Sequence, residues 1–216
     1  MKPNYTHFSV IMDRSGSMSG IKNDTEGGLN TFFDEQKKVD GTATVSLTIF
    51  DDKIDLEYSF LDLKEVPKFV LRPRGWTALL DAIGITITQL GEKLAAMNED
   101  DRPEKVMVVI VTDGEENRSR EYTLDRIKAM IKEQEETYKW EFVFLAANQD
   151  AIQTAGSMGI MGSKAMSFAT SSKGIGDTYD SLSKQVSLYR SMAPSADAKF
   201  EFTDEDRAKQ KAEGAI

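Results

Sequence analysis

The chain has no cysteine, so neither a disulfide nor a thiolate metal site can form. Residues 1–7 lack the apolar stretch of a signal peptide. No later window approaches the roughly 20 apolar residues that a membrane-spanning helix needs. From these absences we expect a cytoplasmic protein that does not use a membrane as its partner.

Positive charge is also scarce, since 27 lysines and arginines stand against 36 aspartates and glutamates and leave a net charge of −9. Phosphate binding needs a basic surface, and no run of six or more basic residues supplies one. Nucleic acid is therefore not expected as the main ligand. What the chain does have is size and apolar content: 216 residues, 40% of them hydrophobic, fit one large domain.

Segments with the periodicity of strands alternate along the chain with segments of helical periodicity. The predicted elements are a strand at 7–12, a helix at 21–36, a hairpin at 42–50 and 54–60, a helix at 79–97, a strand at 106–111, a helix at 124–138, a strand at 141–146, a short helix at 150–158, a strand at 165–169 and a helix at 175–189. That order predicts an α/β fold with a doubly wound, mostly parallel six-stranded sheet, one antiparallel edge strand and helices on both faces.

The same pattern predicts a single domain over residues 1–195. Residues 196–216 are expected to form a charged, flexible C-terminal tail, because residues 203–216 show no apolar face that could pack.

Two acidic turns follow predicted strands, one at Asp13 and one at Asp113. In doubly wound sheets ligands sit outside the carboxyl ends of the strands, at the point where the strand order reverses. We therefore expect both turns at one edge of the sheet. Asp13, Ser15 and Ser17 alternate, so that a turn can aim their side chains at one point. Oxygen ligands without nitrogen or sulfur suit Mg²⁺ or Mn²⁺.

This D-x-S-x-S run resembles the metal-ion-dependent adhesion site of von Willebrand factor A (VWA) domains, whose fold is Rossmann-like. That family uses five positions: the three of D-x-S-x-S, a threonine after a short glycine-containing loop, and the aspartate of T-D-G. The matching residues here are Asp13, Ser15, Ser17, Thr77 and Asp113. The resemblance covers roughly residues 7–190, and its motifs end at Asn117. Two departures are Trp76, where the family often has glycine, and the bulky Arg14.

The resemblance implies a bound Mg²⁺ or Mn²⁺ ion, with the serines as direct ligands and the acids often acting through water. Neutral hydroxyl ligands leave much of the ion's charge uncompensated, and Mg²⁺ keeps several waters. In the family, a partner's carboxylate can replace one of those waters. We therefore predict a non-enzymatic protein–protein interaction module, whose protein partner supplies an Asp or a Glu to the metal.

Other functions have weaker support in the residues. VWA proteins inside bacterial cells often resemble accessory subunits or scaffolds for AAA+ ATPases or for phage and stress systems. A Mg²⁺-dependent phosphohydrolase would use Asp13 as nucleophile, but Ser15 stands where haloacid dehalogenase-like enzymes have their second acid. A serine hydrolase would need a nucleophile in 16–20, where the central residue is Met18. Dinucleotide binding lacks its G-x-G-x-x-G turn.

Several conspicuous side chains have an ordinary structural explanation. His7, the only histidine of the sequence, is predicted at the start of a strand with no catalytic part. Trp76 either packs the Thr77 loop or serves as a contact for a partner, where tryptophan is enriched. Arg14, Arg72 and Arg74 form a solvated rim or attract an acidic partner.

Overall fold

The computed structural model describes residues 1–147, 150–193 and 199–215. Its core is a six-stranded sheet with the order β3-β2-β1-β4-β5-β6. The strands are β1 (Lys2–Asp13), β2 (Thr42–Phe50), β3 (Ile54–Asp62), β4 (Pro103–Thr112), β5 (Glu141–Ala147) and β6 (Ala165–Phe168). The pairing is parallel throughout except between β2 and β3, so the predicted antiparallel edge strand is confirmed as β3.

Helices cover both faces of the sheet, as predicted. They are α1 (Lys22–Gln36), α2 (Leu79–Ala96), α3 (Leu124–Tyr138), α4 (Ala151–Ser157), α5 (Ser172–Ser191) and α6 (Asp204–Ala212). One apolar core joins α1 and α5 to residues of β1 and β4 such as Val10 and Val109. The second joins α2, α3 and α4 to alternate residues such as Ile11 and Ile110. Because successive side chains of a strand point to opposite faces, the continuous apolar run of β4 feeds both cores.

The strand order reverses at the centre of the sheet. β1 and β4 are parallel neighbours, with Met12 opposite Val111. The chain then moves outward to β2 and β3 on one side, and to β5 and β6 on the other. The loops after β1 and β4 therefore leave in opposite directions and open a crevice between them, which is the usual ligand position in such sheets.

The C-terminal segment differs from its prediction, because the flexible tail expected after residue 195 contains a docked helix. α6 begins with a capping box in which Thr203 and Asp206 satisfy each other's backbone N–H groups. Gln210 lies against the main chain of α5 and of the residue after β6, accepting from Ala169 N at 3.1 Å and donating to Gly174 O at 2.9 Å. Phe200, just before α6, is buried in the first core.

The prediction of a flexible tail is wrong for this segment because the buried Phe200 and Phe202 and the polar contacts of Gln210 anchor it. Side-chain hydrogen bonds to main-chain groups need no apolar stripe on the helix, so helical periodicity does not reveal them. The predicted domain boundary between residues 195 and 196 lies outside the described residues. None of the helices in the described part of the chain combines the length and the apolar character that spanning a membrane requires.

Candidate metal centre

The turn after β1 is shaped by the side chain of its own aspartate. Ser15 donates its backbone N–H to Asp13 Oδ1 at 2.6 Å, which is an Asx-turn. A short 3₁₀ helix, Gly16–Ile21, follows and is anchored in the core by the buried Met18. The turn therefore has a fixed backbone, and it carries both serines of the predicted site.

Asp13 lies fully buried between the two central strands. Thr112, the last residue of β4, donates its hydroxyl to Asp13 Oδ2 at 2.6 Å. Burial raises the pKa of Asp13 to about 6, although the hydrogen bonds from Thr112 and Ser15 oppose that shift. The nearby charge of Asp113 raises the pKa further. This carboxylate is held by neutral donors, and no described lysine, arginine or histidine pairs with it.

Ser17 connects the turn after β1 to the turn after β4. Its hydroxyl donates to Asp113 Oδ1 at 2.6 Å and lies 3.0 Å from the hydroxyl of Ser15. Burial raises the pKa of Asp113 as well, against the effect of the Ser17 hydrogen bond. The two predicted acidic turns thus meet at one edge of the sheet, with two hydroxyl groups between two carboxylates.

Thr77 reaches the same place from the loop before α2. A Cβ atom added to Gly114 would lie 3.3 Å from Thr77 Oγ1 and 3.5 Å from Ser17 Oγ, so glycine keeps open a small space that both hydroxyls face. Asn117 ties the loops together: its backbone N–H donates to Thr77 O at 3.1 Å, and its side-chain oxygen accepts from Thr77 N at 3.1 Å. Nothing in its spacing marked Asn117 for this function.

The structure therefore brings all five predicted residues to one edge of the sheet, and their assignment as metal ligands stays a prediction. The donor set fits a hard divalent cation, because three hydroxyls and two carboxylates supply only oxygen. Among the described residues no group of three His, Cys, Asp or Glu side chains could hold a metal. The predicted site has only two carboxylates beside its three hydroxyls, so it does not include three such side chains.

An ion-pair network around the buried Asp51 holds two of these loops. Arg14 Nε and Arg74 Nε both donate to Asp51 Oδ2 at 2.8 Å, and Arg14 also pairs with Asp55. Burial alone would raise the pKa of Asp51, but hydrogen bonds from Arg74, Lys53 N and Arg14 hold it below its ordinary value. Arg14 is only 6% exposed, so the predicted solvated rim is wrong for this residue.

Main-chain hydrogen bonds complete the connection between these loops. Arg74 N donates to Arg14 O at 2.7 Å, Gly16 N to Gly75 O at 3.2 Å, and Ala78 N to Asp51 O at 3.0 Å. Gly75 has a φ of +71°, and a Cβ there would lie 2.3 Å from Asp52 Oδ1, so glycine is required. The loop that carries Thr77 is therefore fixed against the turn that carries Ser15 and Ser17.

Trp76 projects from that fixed loop and is 62% exposed. The prediction that it packs the loop is therefore wrong, and a contact with a partner stays a prediction.

The loop after β4 is attached to the start of α2 by two carboxylates that the sequence did not single out for this purpose. Asp81 accepts the backbone N–H groups of Arg120, Glu121 and Tyr122 at 2.8–2.9 Å. Glu116 accepts from Leu80 N at 2.9 Å. An acid in the first turn of a helix is a signal that could have marked Asp81.

His7 lies inside the sheet, away from this edge. It stacks on Phe60 with ring centroids 3.8 Å apart, and its Nδ1 is 2.8 Å from Thr44 Oγ1. Burial, with a smaller contribution from Lys93, lowers the pKa of His7 to about 3. About six residues of strand, or roughly 20 Å, separate it from Asp13. It therefore belongs to the packing of the sheet.

No protein-family model matches the chain, and no curated protein matches it significantly. Several solved structures, however, have a similar fold. Proximal thread matrix protein 1 from the mussel byssus, with a zinc-occupied metal-ion-dependent adhesion motif, has a TM-score of 0.60 at 12% identity over 85% of this chain. A von Willebrand factor type A protein from Catenulispora acidiphila has a TM-score of 0.59 at 10% identity over 84%. The ArnB paralog VWA2 from Sulfolobus acidocaldarius has 0.53 at 16% over 83%.

The chain spans less than half of each of these proteins, namely 46%, 42% and 44% of their lengths. At identities of 10–16% this similarity shows a shared fold and nothing about function. Together with the sheet order and the antiparallel edge strand, it shows that this chain has the fold of von Willebrand factor A domains.

Proposed function

We propose that the chain is a divalent-cation-dependent protein–protein interaction module, in which Asp13, Ser15, Ser17, Thr77 and Asp113 hold a Mg²⁺ or Mn²⁺ ion. The observation that carries the proposal is the meeting of three loops: Ser17 Oγ lies 2.6 Å from Asp113 Oδ1, and Ser17 and Thr77 share the space that Gly114 leaves open. An assembly of only oxygen donors around a buried carboxylate suits a hard cation.

Each residue contributes a distinct property to the proposed site. Asp13 and Asp113 supply negative charge to the site. The hydroxyls of Ser15, Ser17 and Thr77 supply neutral oxygens. The ion, when bound, would offer a coordination position to a carboxylate of the partner protein. Ser17 and Trp76 are both exposed, so a partner has access to this edge of the domain.

The geometry does not favour the phosphohydrolase alternative. Both oxygens of Asp13 are engaged, one by Ser15 N and the other by the Thr112 hydroxyl, and the side chain is fully buried. A nucleophilic carboxylate needs an oxygen that the substrate can reach. A serine hydrolase is disfavoured by the burial of His7 inside the sheet.

The proposed setting is the cytoplasm of a bacterial or phage-infected cell, which a cysteine-free composition suits. There the partner would be a protein subunit with an accessible Asp or Glu, such as a component of an AAA+ assembly.

Metal binding is the first test. Isothermal titration calorimetry with Mg²⁺ and electron paramagnetic resonance with Mn²⁺ should show one site in the wild-type protein. Asp113→Ala should abolish it, whereas Asp100→Ala, which removes an exposed carboxylate, should leave it unchanged. Absence of binding in the wild-type protein, or equal binding in Asp113→Ala, would contradict the proposal.

Carboxylate binding is the second test, and Trp76 provides the signal. An Asp-containing peptide should change the fluorescence of the exposed Trp76 with Mg²⁺ but not with EDTA, and the matched peptide with Asn should have no effect. The variant Trp76→Phe identifies the contribution of Trp140, which is buried. A fluorescence change that persists in EDTA would count against a metal-mediated contact.

A further inference from the structure

A groove opens at the same edge of the domain, next to the candidate metal centre. The first turn of α2, the loop after β4, the start of α3 and one side of α4 form its walls. Its volume is about 360 Å³, which exceeds the size of one amino-acid side chain. We call it the α2–α4 groove.

The walls of the α2–α4 groove are partly apolar. Leu80 and Leu124 line it from α2 and α3, and Met158 lines it from the end of α4. Met158 is buried, whereas Leu124 is 40% exposed, so apolar surface extends from the bottom of the groove to its mouth. Burying such surface favours an occupant with an aliphatic portion.

All charged side chains that line the groove are acidic: Glu115, Glu116 and Asp150. Within the described ranges none of the three has an ion-pair partner. Their hydrogen bonds come from neutral donors: the main-chain N–H groups of Leu80, Arg118 and Ser119 and the Ser119 hydroxyl for Glu116, and Ile152 N and Gln153 N for Asp150. No ion pair between described residues therefore neutralises the negative charge at the groove, and this charge is complementary to a cationic occupant.

The groove and the candidate metal centre are joined through two short segments. Glu115 is two residues beyond Asp113, and Leu79 is two residues beyond Thr77. Two residues of extended chain span at most about 7 Å. A bound segment that places one side chain at the metal centre therefore reaches the groove with a residue one to three positions away.

We infer that the α2–α4 groove receives a lysine or arginine of the same partner segment that presents its Asp or Glu to the metal centre. The inference rests on the proposed function and specifies the partner. The aliphatic stem lies between Leu80, Leu124 and Met158, and the cationic head meets Glu115 and Asp150. The partner motif is thus an acidic and a basic residue separated by at most two others.

The test uses short fluorescein-labelled peptides with one Asp and one Lys in a Gly/Ser background. The Lys is placed at each position from one to four residues on either side of the Asp, and matched peptides carry norleucine or Glu in its place. Fluorescence polarisation is measured with Mg²⁺ and with EDTA. A Lys at one favoured position should tighten Mg²⁺-dependent binding about fivefold for each ion pair over norleucine, and Glu should weaken it.

Matched variants separate the groove from the metal centre. At saturating Mg²⁺, the double variant Glu115→Gln/Asp150→Asn should bind the Lys and norleucine peptides equally, and this binding should still be lost in EDTA; Asn at 150 can still cap α4. Glu57→Gln/Asp100→Asn removes two exposed carboxylates elsewhere and should retain the preference. Raising the salt concentration should reduce the preference, since it is electrostatic.

The possible failures are distinguishable. Binding that depends on Mg²⁺ and on Asp but not on Lys would overturn the groove inference and leave the proposed function intact. Binding that ignores both EDTA and Asp would contradict the proposed function itself. Concentration-dependent dimerisation that the double variant abolishes would instead assign the groove to a second copy of this chain, and would overturn the inference.

Discussion

The buried Lys105 at the amino ends of the strands meets main-chain carbonyls, whereas the buried Asp13 at the carboxyl ends meets a hydroxyl and a main-chain N–H group. Lys105, near the start of β4, donates to the carbonyls of Tyr189 and Arg190 at 2.8 and 3.0 Å and also to that of Met192. Arg190 in turn donates to Gln36 O at 2.7 Å. At the opposite edge Asp13 has only neutral donors around it.

The difference separates a stabilising arrangement from a binding one. Lys105 donates to free carbonyls at the end of α5 and Arg190 to one at the end of α1, which is a complete arrangement within the chain. A buried carboxylate among hydroxyls gains less from such neutral donors than from a counterion, as its raised pKa shows. This contrast is consistent with the proposed function, in which the carboxyl end binds a cation from solution.

The strongest test of this contrast is the substitution Lys105→Met. It leaves the carbonyls at the end of α5 without their charged donor, and we expect a loss of about 3 kcal/mol in the free energy of unfolding. Mg²⁺ affinity should not change, because the two ends act independently. Urea unfolding in EDTA and calorimetry measure the two quantities, with the exposed Lys132→Met as control. A parallel loss of Mg²⁺ affinity would show that the ends are coupled.

The converse behaviour is expected of Asp13→Asn. Mg²⁺ affinity should fall about 100-fold, or ~2.7 kcal/mol, because the buried negative charge is lost. The free energy of unfolding in EDTA at neutral pH should not fall, since burial disfavours the ionised carboxylate in the folded state. Calorimetry and urea unfolding again give both values. Marked destabilisation in EDTA would mean that Asp13 serves the fold rather than a metal.

His7, midway between the two ends, extends the comparison to a buried group kept neutral. Its folded-state pKa of about 3 lies below the ordinary 6.5, so the unfolded chain binds the proton first as pH falls. Stability is complete above pH 6.5 and should decline below it by about 1.4 kcal/mol per pH unit, or ~2 kcal/mol by pH 5.

The free energy of unfolding of the wild-type protein and of His7→Gln, measured across this pH range, isolates the contribution of the histidine. The variant should lack the decline of stability below pH 6.5. The ring resonances of the single histidine in the NMR spectrum should not titrate above pH 5. Titration near pH 6.5 in the folded protein would refute the assignment.

The smallest effect is expected from Asp51→Asn, which weakens the network that holds the loops of Ser15 and Thr77. Mg²⁺ affinity should fall about tenfold, as is typical when support behind metal ligands is removed. The loss should shrink in a Thr77→Ala background if Asp51 acts through that loop. Asp100→Asn is the control. An effect of the same size in both backgrounds would assign Asp51 a role independent of Thr77.

Local pattern was sufficient for most of the fold. The apolar runs at Val10 and Val109 and the helical spacing of residues 79–97 each reflect burial by near neighbours, which periodicity reports directly. The convergence of Asp13 and Asp113 followed from topology, because both end parallel strands. The metal-site motif supplied Thr77, whose loop has no periodicity of its own.

What the sequence determined by itself was the order of the elements, the edge of the sheet at which function is expected and the oxygen-rich composition of the site. Only the tertiary structure decided that Arg14 turns inward to Asp51, that Trp76 faces solvent and that α6 docks through Gln210. These outcomes depend on hydrogen bonds and ion pairs between residues far apart in the chain. Such contacts leave no local period, because their partners are set by the packing of the whole domain.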